Sequence, residues 1–487
     1  MEIVTKMEGY IPQSKRKKIL LLCDDLRTHS GIGTIAKEIV LHTCHYYNWV
    51  QVGAAIKHPE VGKILDISEE TNKLVGLSDA YVHIYPSDGY GNPDLIRNLL
   101  NSEKPDAIFI FTDPRYWTWL FRIENEIRKK VPIIYLNIWD DYPAPMYNKT
   151  YYESCDLLMG ISKQTVNINN LVLGKKAKNK IIEYVPHGLN HKMFYPINKT
   201  HQKWSDLQEF KTQLFNGDKY DFTVLYNSRN IRRKQVPDTI WAFKQFVDKL
   251  SREQAKKCAL ILHTHRVDDN GTDLPAVINA LCGHDPEKYN FIFSDQKLSA
   301  DQMNLLYNST DVQIQLTSNE GWGLSLTEAI LCGNPIIANV TGGMQDQMRF
   351  EDNKGLWFTP DENIPSNHRG TYKKCGPWAF PVFPTSISIV GSPPTPYIFD
   401  DRCEASDAAN QLMEVYKLDP ERRKAIGLMG REWAIGDEAG FTSEKMGYRM
   451  INCIDRLLKT WVPRKKYSLI KIDKPEGSFV PHNLETY

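Results

Sequence analysis

Short apolar runs alternate with longer amphipathic stretches along most of this chain. Ile19-Leu20-Leu21-Leu22-Cys23 is the first, and Val50 to Ile56, Ala107 to Phe111, Ile133 to Leu136, Leu157 to Gly160 and Ile181 to Val185 follow. The runs without polar residues fit strands buried on both faces. A loop with Gly31-Ile32-Gly33 follows the first run, and a helical pattern goes from Thr34 towards His45. The stretch from about 197 to 220 is polar and breaks the rhythm. A second series then begins, with strand candidates at Phe222 to Tyr226, Ala259 to His263, Phe291 to Phe293, Val312 to Leu316 and Pro335 to Asn339. Helical patterns over Asp238 to Leu250 and Asp301 to Asn308 lie between them. Strands alternating with helices predict parallel sheets covered on both faces. The pattern therefore predicts an α/β chain of two domains with a boundary near 200–220.

Residues 351–400 depart from this pattern. Twelve of these 50 residues are Gly or Pro, which argues against regular structure, and eight are aromatic, which argues against disorder. Either an ordered surface elaboration or a substrate-covering lid fits that composition. Helical patterns return over Ala405 to Lys417, Pro420 to Ile435 and Ser443 to Trp461, before an irregular tail. Residues 1–17 read as a loose arm.

Composition narrows the class. Sixty Lys plus Arg against 59 Asp plus Glu give a formal charge of +1, which excludes a bulk polybasic nucleic-acid binder. The longest purely apolar runs are about five residues, far short of the roughly 20 of a membrane-spanning helix. Nine scattered cysteines without a C-x-x-C pair argue against a disulfide framework or zinc site, and for a reducing cytosol. Two basic runs, Lys15 to Lys18 and Lys175 to Lys180, read as solvated surface or as contacts to phosphate headgroups or nucleic acid.

The most specific segment runs from Asn319 to Pro335: Asn-Glu-Gly-Trp-Gly-Leu-Ser-Leu-Thr-Glu-Ala-Ile-Leu-Cys-Gly-Asn-Pro. It follows a strand candidate. A strand, a Gly-bearing turn and a helix present backbone N–H groups to an anion. Gly321 and Gly323 let the backbone approach a ligand closely. Glu328, about one turn into the helix, is placed to accept hydrogen bonds from ligand hydroxyls.

This segment resembles the E-x7-E motif of the retaining glycosyltransferases of family four (glycosyl transferases group 1), which have the GT-B fold. Other parts of that pattern occur in order. Ser228-Arg229-Asn230-Ile231-Arg232-Arg233-Lys234 resembles the family's G-R-x4-K loop. Pro186-His187-Gly188-Leu189-Asn190 through Phe194-Tyr195-Pro196 resembles its domain-junction segment, Ile161-Ser162-Lys163 its V-S-x segment, and Gly31-Ile32-Gly33 its N-terminal glycine loop. Phe291 to Ser294, with Leu306-Tyr307, resembles the segment near the base pocket. The resemblance covers about 18–350 and 404–461.

It implies two Rossmann-like parallel-sheet domains facing a deep cleft: an acceptor-side domain over 18–205 and a donor-side domain over 206–440 carrying the insertion 351–400. The segment 441–487 would hold a helix crossing back to the first domain, and a tail. The resemblance also implies that Arg229 and Lys234 contact the donor diphosphate and Glu320 the donor sugar. Glu328 would bind ribose hydroxyls. Gly321, Trp322 and the N–H groups of Gly323 and Leu324 would line the donor, with Gly31 and Gly33 closing over its phosphates. Arg232 and Arg233 read as a solvated face.

Two departures stand out. Many relatives carry a histidine at the end of an N-domain strand, where this chain has Trp139 or Asp140. An aspartate there can orient an acceptor hydroxyl or take its proton. Ser294 stands where the family usually has Gly, and with His263 it is expected near the base. No Asp-x-Asp occurs, so no metal and no cofactor are expected beyond a UDP- or GDP-sugar co-substrate.

The leading expectation is a retaining transferase acting on a glycan, lipid or small-molecule hydroxyl, cytoplasmic, with peripheral membrane contact open to it. One alternative is transfer to hydroxymethylated bases in DNA, as in phage GT-B enzymes, with 351–400 serving a flipped base. The other is a nucleotide-sugar binder that has lost catalysis.

Overall fold

The apolar runs form strands where the pattern predicts them. The computed structural model describes residues 9–55, 59–361 and 370–465. The first series builds a sheet from β1 (Lys17–Asp24), β2 (Tyr47–Ala54), β3 (Leu65–Asp66), β4 (Val82–Pro86), β5 (Ala107–Phe111), β6 (Ile133–Asn137), β7 (Leu157–Gly160) and β8 (Ile181–Tyr184). Their order is β3-β4-β2-β1-β5-β6-β7-β8, and only the edge pair β3–β4 is antiparallel. β3 and β4 escaped the pattern because one is two residues long and the other, Val-His-Ile-Tyr-Pro, carries a polar residue within its apolar run.

The second series builds β9 (Phe222–Asn227), β10 (Cys258–His263), β11 (Asn290–Phe293), β12 (Val312–Gln315), β13 (Ile336–Asn339) and β14 (Ala379–Val382). They pair in parallel in the order β11-β10-β9-β12-β13-β14. The outermost strand, β14, comes from the segment whose Gly and Pro content argued against regular structure. Pro381 is tolerated there because an edge strand leaves one row of backbone groups unpaired. The same segment also folds an antiparallel hairpin, β15 (Ser386–Ser392) with β16 (Thr395–Arg402). Residues 351–400 are therefore partly integral to the second sheet.

Each sheet buries apolar side chains on both faces, as parallel sheets covered by helices must. The polar stretch 197–220 is not structureless: it holds the helix Trp204–Leu214, and Lys203 pairs with Asp301 at 2.8 Å. The loose arm is also corrected from residue 9 onward. Buried Arg16 bonds Asp79 Oδ1 at 2.6 Å and the carbonyls of Asp79 and Ile11. Lys17 and Lys18 pair with Asp106 and Glu103 at 2.8 and 2.7 Å. Lys176 pairs with Glu153 at 2.9 Å, and Lys180 donates to the Glu153 carbonyl at 2.6 Å. Both basic runs are thus largely engaged by their own domain.

The helix Ser443–Thr460 crosses back to the first domain. Tyr46 and Tyr47 donate to Asp455 at 2.5 and 2.8 Å, and Arg456 pairs with Glu183. Among the described residues, no helix is long and apolar enough to cross a membrane.

Strand order positions the site. In the first sheet the order reverses at β1, flanked by β2 and β5. In the second it reverses at β9, flanked by β10 and β12. Such switch points open a crevice beyond the strands' carboxyl ends. The loops leaving β1, β5, β9 and β12 carry Ser30-Gly31, Asp113, Arg229 with Arg233-Lys234, and Asn319-Glu320, and all of these residues line one shared cavity.

Candidate functional site

The cavity has a volume of about 870 Å³ and lies between the two sheets. On the second domain, β12 ends in a turn that leads into the helix Leu324–Leu331. Gly323 caps this helix at φ 88°, a left-handed conformation that glycine adopts without strain. A Cβ on Gly321 would lie 3.0 Å from the carbonyl oxygen of Ile138 and 3.0 Å from Ile161 Cδ1, so this turn touches the first domain. The turn is held from behind, where Gly343 N donates to the Glu320 carbonyl at 3.0 Å. A Cβ on Gly342 would collide with that same oxygen.

Glu320 is the electrostatic centre. Its Oε2 accepts a short contact from Lys234 Nζ and lies 3.5 Å from Arg233 Nη1. Arg233 also donates to the Asn319 carbonyl at 2.7 Å. Burial alone would raise the Glu320 carboxyl, but Lys234 and Arg233 outweigh it and hold it below its ordinary value. Burial pushes the Lys234 ammonium down, against the pull of Glu320. Burial also opposes the charge of Arg233, yet Glu320, Asp140 and Asp141 keep its guanidinium the more firmly protonated. Buried charges persist only when paired in this way.

Arg233 corrects the solvated-face reading of the Arg-Arg-Lys run. The 3-10 turn Arg232–Lys234 leaves Arg232 exposed but sends its two neighbours inward. Arg229 lines the cavity mouth, with 59% of its side chain exposed and its guanidinium held on Asp268 at 2.8 Å.

Glu328 projects from the helix Leu324–Leu331 into the cavity. Its Oε2 accepts from Tyr307 OH at 2.6 Å and lies 3.5 Å from Asn227 Nδ2. Burial pushes its carboxyl up to about 7, against the hydrogen bond from Tyr307.

The first domain supplies the facing wall. The helix Gly31–Leu41 begins at Gly31, three residues earlier than the pattern suggested. Its cap, Ser30, accepts from Gly33 N at 2.9 Å and donates to Asp24 at 2.8 Å. Gly31 faces the cavity, and a Cβ there would come within 3.5 Å of Leu324 Cδ1 across the cleft. Gly33 instead packs inward, where a Cβ would strike Thr28.

Asp140 lines the cavity with Asp141, and Trp139 lies beside them. Burial raises the Asp140 carboxyl, against Arg233. Asp141 rises further, through burial and then the charge of Asp140. Arg115 reaches the same wall, paired with Asp113 and 5.8 Å from the Trp139 ring.

Other expected residues sit differently. The Trp322 indole is buried, donates to Thr327 at 2.9 Å and packs on Phe441, which leaves its backbone rather than its ring for a ligand. His263 and Ser294 meet at 3.1 Å at the ends of β10 and β11, beside the cavity rather than in its lining. His187, a histidine from another segment, does line it. Burial pushes its ring down to about 3, and its Nδ1 has no partner among the described residues. Arg115 and Asp141 carry no local signal in the sequence; only the assembled fold brings them here, while Tyr307 belongs to the segment that resembles the base-pocket pattern and its bond to Glu328 comes from the fold. The β16 residues Thr395 and Ile398 complete the rim. No group of three or more His, Cys, Asp or Glu suited to a metal occurs among the described residues.

Comparison with known proteins agrees with this architecture. Residues 286–367, which include the whole turn–helix carrying Glu320 and Glu328, match the family described as Glycosyl transferases group 1. No curated protein matches the sequence. Among solved structures, Anabaena Alr3699/HepE in complex with UDP and glucose is similar at 14% identity and a TM-score of 0.60, covering 91% of this chain and 100% of that one. Sucrose-phosphate synthase from Thermosynechococcus elongatus gives the same identity, TM-score and coverage. A glycosyltransferase from Rickettsia africae gives 13% identity and a TM-score of 0.60, covering 92% of this chain and 100% of that one. This chain thus has the two-domain GT-B fold of these glycosyltransferases, and its segment 286–367 carries the match to the glycosyl transferases group 1.

Proposed function

We propose that this protein is a retaining glycosyltransferase that moves a sugar from a UDP- or GDP-linked donor to an acceptor hydroxyl on a glycan, lipid or small molecule. The observation that carries the reading is Glu320, its side chain 13% exposed, bracketed by Lys234 and Arg233. It lies beside a glycine turn that faces the helix N-terminus at Gly31. The bound UDP and glucose of the similar Anabaena protein support a nucleotide-sugar donor. In this reading the bond between the anomeric carbon and the diphosphate breaks, and its electron pair leaves with the phosphate oxygen. Lys234 and Arg233 neutralise that charge as it develops, and the N–H groups of Gly323 and Leu324 add fixed dipoles. The acceptor oxygen attacks on the same face, and Asp140 orients its hydroxyl and takes its proton. Glu320 positions the sugar and Glu328 accepts from the ribose.

The direct test is a panel of UDP- and GDP-sugars, scored for hydrolysis and for transfer, with the product anomer read by NMR. No turnover of any donor would sink the donor assignment, and an inverted anomer would sink retention. Activity is expected to survive EDTA, because the diphosphate meets cationic side chains. Loss of activity on chelation, restored by magnesium or manganese, would contradict this.

Glu328 carries a pH prediction. Its folded-state value, about 7, lies above the unfolded 4.5. The folded protein therefore binds the extra proton between these values. The stability from this group is full below pH 4.5 and is lost as pH rises through 7. Ribose hydroxyls donate best to the ionised carboxylate, so UDP affinity should rise about tenfold between pH 6 and 8 as the competent fraction grows. Calorimetric titration of the wild type and Glu328→Gln checks this. The variant should bind more weakly by roughly 1–3 kcal/mol and lose that part of the pH dependence. Identical pH profiles would remove Glu328 from the ribose.

A further inference from the structure

A second cavity of about 800 Å³ lies at the opposite end of the second sheet, under the amino ends of β9, β12 and β13. Its volume falls within the range of small-molecule sites. The helix Trp204–Leu214 forms one wall and the helix Pro420–Ile435 another. Trp204, Leu207 and Phe215 give it an apolar, partly aromatic side.

Two cations, Arg423 and Lys211, stand on its walls. Arg423 is 5% exposed, and its buried Nε has no hydrogen-bond partner among the described residues. Its Nη2 lies 3.4 Å from the Asp221 carbonyl and 3.6 Å from Asp311 Oδ1. Lys211 lines the same space, and no carboxylate pairs with its ammonium among the described residues; burial pushes it down, with Asp311 opposing. Three carboxylates also line the cavity. Asp311 is already engaged, accepting from Thr223 N and Oγ1 at 2.8 Å each. Asp218 and Asp221 are exposed at the rim, opposite Lys219 and Lys424, which are exposed as well. Lys211, which has no carboxylate of its own among the described residues, is the charge that an anionic oxygen in the cavity would meet, with Arg423 behind it.

We propose that this cavity binds a small organic anion, its anionic head on Lys211 and Arg423 and an apolar or aromatic body against Trp204, Leu207 and Phe215. The site is separate from the donor cavity and does not depend on the transfer reaction. It adjoins that cavity through one tyrosine. Asn334 Nδ2 and Thr310 Oγ1, both in this second cavity, donate to the Tyr307 carbonyl at 2.7 and 3.0 Å, while the Tyr307 hydroxyl donates to Glu328.

Phenyl phosphate and phenylacetate serve as probes, with inorganic phosphate as the head alone, read by calorimetry on the full chain. The wild type should bind at least one aromatic anion, and bind it more tightly than inorganic phosphate. Lys211→Met, which keeps most of the apolar stem, should weaken that binding about tenfold or more. Lys234→Ala, in the donor cavity, should leave it unchanged. Melting curves on both variants verify folding, and Lys211→Gln replaces Lys211→Met if the latter does not fold. Absence of binding by both aromatic probes, equal binding by the lysine variant and the wild type, or loss in Lys234→Ala instead would overturn the proposal.

Discussion

Lys234→Ala should lower transfer about 10²–10³-fold with donor saturating, the loss expected when one fixed stabiliser of developing negative charge is removed. Lys234 is the closest cation to Glu320 and is itself buried, so no solvent cation of comparable placement replaces it. The substitution also leaves Glu320 with Arg233 alone at 3.5 Å, and breaking a buried pair costs roughly 3–5 kcal/mol of stability. Steady-state kinetics must therefore be read on protein whose melting curve shows it folded at the assay temperature. Arg229→Ala should cost less, because that guanidinium is largely exposed and sits on Asp268. Wild-type turnover in folded Lys234→Ala would remove this lysine from the reaction.

The second large effect is expected at the hairpin β15–β16. Its inner end is tied to the loop that carries Glu320: Asp400 Oδ1 accepts from Ser318 Oγ at 2.9 Å and Asn319 Nδ2 at 3.1 Å, and Asp401 N donates to the Ser318 carbonyl. Its outer part reaches the first domain. Phe399 N donates to the Tyr142 carbonyl at 2.7 Å, and Tyr147 OH donates to the Tyr397 carbonyl at 2.9 Å. The hairpin therefore spans the cleft beside Asp140. Replacing residues 387–397 with a short Gly-Ser turn keeps β14 and the Asp400 and Asp401 anchors. Nucleotide binding and donor hydrolysis should persist, while transfer to the acceptor should fall about 10²-fold, as misplacement by an ångström does. Loss of nucleotide binding in a folded variant would assign the hairpin to the donor side. Unchanged transfer would make it decoration.

What the sequence could show tracks the range of the forces involved. Strands such as Ala107–Phe111 announce themselves because burial on both faces demands an unbroken apolar run. The turn carrying Glu320 is equally legible, because Gly321 and Gly323 answer to local backbone geometry. β14 was hidden because the Gly and Pro around it argue against regular structure, whereas an edge strand pairs on one side only and tolerates Pro381. Arg233 was hidden for another reason. Three successive cations look alike in sequence, and a 3-10 turn of three residues decides which ones face inward. Asp141 and Tyr307 depend on partners contributed by distant segments, Asp140 with Arg233 in one case and Glu328 in the other.

The returning helix Ser443–Thr460 imposes an order of events on synthesis. Met446, Met450, Ile454 and Leu457 pack into the same apolar cluster as Ile19, Ile39, Tyr47 and Trp49. Tyr46 and the Asp455 that receives its hydroxyl are 409 residues apart. At about 5–20 residues per second, a ribosome needs roughly 20–80 s to deliver the second after the first. For that interval the first domain carries an uncovered apolar face, the kind of surface that chaperones hold and that nascent chains aggregate through. The first domain reaches its final form only after the second has been made, which reverses the usual amino-to-carboxyl order of maturation.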